Sequence, residues 1–298
     1  MADFTFLVKH QIVMKRLALY LLFTVLWASV FATGQECDII YVGGQQWFLK
    51  GRPICYDSLL YKSLMERLPE HRAQSTANWD GFVGYWSVQD GALFLDSVTV
   101  YFIEENLKEK TVALPDTIMQ TVFAKYYSGK RIFASWVTAN LNIGQGKMIY
   151  YEHIGFARYY ETEMTLHVEN GKITEQKLFN NRIVLDGLPD ENYWEMLHDT
   201  VKTFLLADNR YPQLSSDSIR GIVLKAQNCK VDSLGNLTEI SLKIILIPYT
   251  NDTLVTLEHE LEALLMTLKP WKVLLINDEY RPLWTGWSGL IRLRPKEQ

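Results

Sequence analysis

From Cys37 to about Arg182 the chain is a succession of short runs rich in β-branched and aromatic residues: "DIIYV", "QQWFLK", "FVGYWSV", "ALFLDSVTVYFI", "RIFASWVTANLNI", "KMIYYEHI" and "RYYETEMTLHVENGKITEQKLF". Such residues suit a pleated, half-buried surface, and turn residues separate the runs, so this half is read as mainly antiparallel β. The densest piece is "STANWDGFVGYWSVQDGALFLDSV", Ser75–Val98. Its Asp90-Gly91 pair predicts a two-residue type I′ hairpin that sets Gln89 opposite Ala92, Val88 opposite Leu93, Trp86 opposite Leu95 and Tyr85 opposite Asp96. Most of its aromatics are then explained by packing. Trp79 and Asp80 fall outside the paired register, and with Tyr85 they are the candidate ligand-binding residues.

Two segments of this half break the β pattern. "YDSLLYKSLMERL", Tyr56–Leu68, spaces Leu59, Leu60, Leu64 and Leu68 along one helical face, with Asp57 or Ser58 as N-cap. "PDTIMQTVFAKYY" from Pro115 gives a second helix, with Asp116 at the positive end of its dipole.

The N-terminus carries a different signal. Lys15 and Arg16 precede the apolar run Leu17–Ala32, and small residues follow at Val30-x-Ala32 and Ala32-x-Gly34, the pattern of a cleavable export signal. The run of 16 residues reaches about 24 Å as a helix, short of the roughly 30 Å hydrocarbon core. Residues 1–34 are therefore set apart as an upstream extension and signal peptide. Met14 is an alternative start. The chain is expected to be exported, to the periplasm or beyond the cell, with no membrane span once the signal is removed.

Two units follow from the 298 residues, since single cores stop growing near this length. Residues 35–187 form the β-rich unit. Residues 188–298 begin with a helix, in which Trp194, Leu197, Val201, Phe204 and Leu205 recur at threes and fours after Asp190 as cap. Two strands joined around "DSLGN", the amphipathic run "TLVTLEHELEALLMTL" and three more strand-like runs complete an α+β unit. The fold class expected for the whole is α+β.

The last part resembles the C-terminal domain of the TonB family over about residues 209–294. "RYP" at Arg210–Pro212 looks like that family's opening segment, and "RGIVLKAQNCKVDSLGNLTEI" resembles its Gly-x-Val strand, Val-Asp-x-x-Gly turn and second strand. Glu258–Leu268 would be its helix, and "KPWKVLLINDEYRPLW" resembles its Trp-Lys-Pro segment. The resemblance implies a small sheet whose edge accepts an extended peptide as an added strand. The chain departs from TonB in having an aromatic β unit, and nine Pro overall, where a long Pro-rich spacer should lie. The first half is similar to exported bacterial proteins of unassigned role, which adds no chemistry.

Catalytic patterns are missing. "GWSGL" misplaces its Gly for a nucleophile elbow, and "NIGQGK" lacks a third Gly and a following helix. No Cys or His pair has zinc spacing. Three cysteines in an oxidising compartment make Cys37 and Cys55, at the ends of neighbouring strand-like runs, the candidate bridge. Glu161, Glu163 and His167 alternate on one strand face, either as an acid–base pair for glycoside chemistry or as an ordinary solvated surface. The formal net charge of −4 without a basic stripe argues against nucleic acid. The expectation is a non-enzymatic envelope protein without cofactor or metal, binding a protein or extended peptide. The alternative is a carbohydrate or cell-wall binder using exposed aromatics such as Trp79, Tyr85 or Trp86.

Overall fold

The structure, a computed structural model, describes residues 34–104, 108–152, 154–188, 191–207, 211–215, 219–248 and 254–294. Residues 1–33 of the expected signal segment, Asp190 and Arg210 lie outside the described residues.

The first part comprises β1 (Asp38–Val42), β2 (Gln45–Leu49), α1 (Ser58–Met65), β3 (Phe82–Gln89), β4 (Ala92–Ile103), β5 (Glu109–Ala113), α2 (Asp116–Val122), β6 (Tyr127–Ser128), β7 (Arg131–Phe133), β8 (Ala139–Tyr151), β9 (Arg158–Glu169) and β10 (Lys172–Asn180). These strands form one ten-stranded sheet in the order β10-β9-β8-β2-β1-β3-β4-β7-β6, with β5 on β4. β1 runs parallel to β3, so the sheet is mixed.

The sheet curls until two hairpin tips meet. Asp90-Gly91 and Asn170-Gly171 all have positive φ, as a type I′ turn requires. Leu93 N–H donates to the Gly171 carbonyl (2.8 Å) and Ile173 N–H to that of Gly91 (2.7 Å), which pairs β10 with β4 at Lys172 and Ala92. Inside the curl lie Ile40, Trp47, Leu49, Phe82, Trp86, Leu93, Leu141, Ile143 and Leu166. α1 packs into this core through Leu60 and Leu64, and the Asp57 carboxylate caps it by accepting from the N–H groups of Leu59 and Leu60 (both 3.0 Å).

The second part comprises β11 (Arg182–Leu185), α3 (Glu191–Leu206), β12 (Gly221–Val231), β13 (Leu237–Ile247), α4 (Val255–Thr267), β14 (Val273–Ile276), β15 (Glu279–Pro282) and β16 (Trp287–Arg292). Two three-stranded sheets form, β13-β12-β16 and β11-β14-β15. Leu197, Val201 and Leu205 of α3 and Leu257, Leu261 and Leu265 of α4 are buried in one core with Ile222, Leu224, Trp287 and Ile291. β11 lies within the range assigned to the β-rich unit yet pairs with β14 of the second part.

This architecture corrects the α+β expectation. Strands take 49% of the chain and helices 22%, and the first sheet is one large sheet, antiparallel except where β1 runs beside β3. The reason is the length of the strands: β4, β8 and β9 run to 12 or 13 residues each, and β12 and β13 to 11, which outweighs the four helices. No helix among the described residues is long and apolar enough to cross a membrane.

Candidate functional site

A cleft of about 390 Å³ opens beside α1, lined by Gln35, Lys50, Gly51, Arg52, Cys55, Tyr56, Asp80 and Phe156. Its chemistry comes from "STANWDG". The Asp80 carboxylate accepts from Tyr61 Oη (2.7 Å) and from Arg52 Nη1, while Arg52 Nη2 donates to Asn78 Oδ1 (2.7 Å). Asn78 passes the connection on, donating through Nδ2 to Glu36 (2.8 Å), and Glu36 accepts from Tyr101 Oη (3.1 Å). The guanidinium also lies 5.3 Å from the Phe82 ring centroid. Asp80 therefore neutralises a buried cation and ties a loop down. Burial, then the Asp80 hydrogen bond, pushes the Tyr61 hydroxyl up to about 12.

Asp38, within electrostatic reach of Arg52, is fully buried at the start of β1. It accepts from Gly84 N–H (3.0 Å) and Trp86 Nε1 (2.9 Å). Burial pushes its carboxyl up to about 7, against the pull of those two donors and nearby Arg52.

The three candidate ligand residues do not converge. Asp80 lines the cleft, and the adjacent Trp79 is 67% exposed. Tyr85 lies next to Trp86 on β3; Trp86 is in the core, so strand alternation turns Tyr85 to the opposite face. The hairpin register holds at Gln89–Ala92, Val88–Leu93 and Trp86–Leu95, but Tyr85 faces Ser97. A bulge leaves Asp96 unpaired in the ladder, and its carboxylate accepts from Ser87 Oγ (2.9 Å) and Arg131 (3.3 Å).

The expected disulfide is not formed: Cys37, Cys55 and Cys229 are all free. Cys37 is buried just before β1, whereas a 3-10 turn, Pro53–Tyr56, carries Cys55 past the end of β2 to the cleft. Desolvation in the cleft pushes the thiol of Cys55 up to about 11, with Asp80 adding to the effect.

The expected acidic face also divides. Glu163 is only 3% exposed and pairs with Lys50 Nζ at 2.7 Å, while Glu161 is exposed and accepts from Lys147 N–H (3.1 Å). A carboxylate already neutralised in a buried pair is a poor general acid or base. The solvated-face reading fails at Glu163 as well, because the outer surface of β9 is covered there.

A second feature is the small sheet, whose two edges differ. The N–H groups of Leu242 and Ile244 point away from β12 and donate to Glu262 (2.8 Å) and Glu258 (2.9 Å) on α4. These carboxylates occupy the place of a neighbouring strand's carbonyls, so the β13 edge is closed. On β16 the Leu293 N–H bonds to Arg220 and the Arg292 N–H turns outward to His198 Nε2 (3.3 Å). By alternation the Ser288 and Leu290 N–H groups also face outward. Both residues are exposed, and among the described residues β16 has no second strand neighbour. Nothing in the sequence pattern distinguished these edges, because the glutamates that close one of them read as the polar face of a helix.

No family model, no curated protein and no solved structure matches the chain.

Proposed function

We propose that the protein is a non-enzymatic binding module of the cell envelope that takes an extended partner segment as an added strand on β16. The observation that carries this reading is the inequality of the two sheet edges. Carboxylates cap the β13 edge, whereas β16 presents outward N–H groups at Ser288 and Leu290 with exposed side chains. An uncovered edge is a template for another chain, and main-chain hydrogen bonds then supply much of the affinity. The strand, strand, helix, hairpin, strand order of residues 221–292 agrees with the TonB-like resemblance. The Lys15-Arg16 pair and the apolar run after it support export.

The test is to select extended peptides on the full chain and follow amide hydrogen exchange. Slowing at Ser288 and Leu290, with binding lost in Leu290→Pro, is the expected result. Slowing confined to the cleft of Arg52 and Asp80 would overturn the reading. Of the aromatics named for carbohydrate binding, Trp79 alone is well exposed, and a shift of its emission on titrating glycans, absent in Trp79→Ala, is the result that would favour that alternative.

A further inference from the structure

The open face of the small sheet has a chemistry that narrows the partner. One face of β12, β13 and β16 is packed against α3 and α4, burying Ile222, Leu224, Leu242, Ile244, Trp287 and Ile291. The other face reads as three cross-strand rows. Lys243, Lys225 and Ser288 form one row. Ile245, Val223 and Leu290 form the next, and Ile247, Gly221 and Arg292 the third. Lys225 and Lys243 stand directly opposite one another, an arrangement that costs free energy when nothing neutralises it. Neighbouring Lys230 has a partner in Glu239, but among the described residues Lys225, Lys243 and Arg292 form no ion pair.

These rows end on the β16 edge, which is uncovered at Ser288 and Leu290 while His198 takes the Arg292 N–H, so an added strand would extend the first two rows by one residue and meet the third through the Arg292 side chain. We propose that the β16 edge binds an acidic extended segment of a partner protein, with the pattern acid-x-apolar-x-acid. The inference rests on the strand-addition reading and deepens it. The first acid lies opposite Ser288, whose short side chain leaves Lys225 free to reach across; β16 lies between them, so the backbones are two strand spacings or about 10 Å apart, a gap that the lysine and the acid span together. The apolar residue continues the row of Leu290, Val223 and Ile245, and the second acid lies beside Arg292. A second copy of this chain fits poorly, because it would bring Arg292 and Lys225 of two molecules to one seam.

Fluorescence anisotropy of the full chain with labelled nine-residue peptides tests both levels. The peptides carry Asp-x-Val-x-Asp, Asn-x-Val-x-Asn or Lys-x-Val-x-Lys at their centre, and the Asp peptide is also made with alternate backbone amides N-methylated in either phase. The Asp peptide should bind about five- to tenfold tighter than the Asn peptide, as two exposed ion pairs allow. The preference should shrink in high salt and vanish when Lys225→Gln, Lys243→Gln and Arg292→Gln are combined, and one methylation phase should abolish binding while the other spares it. Equal binding of Asp and Asn peptides, with methylation still blocking, would overturn the acidic preference and leave strand addition standing. Binding of no peptide, or binding indifferent to methylation, would remove strand addition itself. Capture by anionic phosphatidylglycerol vesicles without peptide binding, or a β16-dependent dimer in sedimentation, would equally overturn the proposal.

Discussion

Asp38 shows how one residue ties β1 to β3 inside the core. Its carboxylate sits where β1 and β3 run in parallel, between Gly84 N–H and Trp86 Nε1. A Cβ on Gly84 would lie 2.6 Å from Asp38 Oδ2 and 2.7 Å from Trp86 Nε1, so only glycine leaves room for the bond. Because burial raises the folded-state carboxyl from 3.8 to about 7, the folded chain holds this proton more tightly than the unfolded one. Its contribution to stability is therefore complete below pH 3.8, declines as pH rises toward 7, and is flat above that. The loss is on the order of 4 kcal/mol at 1.36 kcal/mol per unit. Asp38→Asn removes that slope and turns an amide N–H toward one of two donors, costing about 1–3 kcal/mol. Denaturant unfolding of both proteins from pH 3 to 8 checks this: the wild type should be the more stable by about 1–3 kcal/mol at the acid end, and as the pH approaches 7 it should lose that lead and fall below the variant. A constant difference would count against a titrating Asp38.

Among the elements, the hairpins carry the closure of the large sheet. Asp90-Gly91 was legible in the sequence because a type I′ turn needs two positive φ values, and three of its four expected cross-strand pairs stand. The fourth was not legible, since the bulge at Asp96 depends on Arg131, 35 residues away. Asn170-Gly171 is the same kind of signal inside a run read as continuous strand, where the alternation on both sides masked the turn. Its tertiary role depends on Ala134: a Cβ on Gly171 would meet the Ala134 carbonyl oxygen at 2.7 Å, whereas one on Gly91 meets nothing within 4 Å. Both positions have positive φ, so alanine at either costs roughly 1–2 kcal/mol of backbone strain. Gly171→Ala must also displace a backbone and loosen β10 from β4. Thermal melts should show Gly171→Ala lowering the midpoint well beyond Gly91→Ala, and equal shifts would mean that the hairpin tips do not close the sheet.

In the whole molecule, the sequence separated two units by their change of pattern at the long helix, and what joins them was not visible there. The join is a buried cluster of Tyr150, Leu274 and Ile276, flanked by the Arg281–Glu152 pair at 3.1 Å. Its centre is Asn181, between β10 and β11. Asn181 Nδ2 donates to the Tyr160 carbonyl (2.8 Å) and Oδ1 accepts from Asn277 N–H (2.8 Å), so one amide satisfies a strand of the large sheet and the turn between β14 and β15. Read alone, Asn181 is an ordinary loop residue, because its value comes from partners 21 and 96 positions away. Asn181→Ala takes the partner from a buried carbonyl and a half-buried N–H, at about 1–3 kcal/mol together with the lost bonds. If the amide couples the two parts, the Asn277 amide should exchange at least tenfold faster in the variant, and calorimetry should resolve the second part melting ahead of the large sheet. Unchanged exchange at Asn277 would show that the apolar cluster alone holds the parts together, and that Asn181 merely fills its loop.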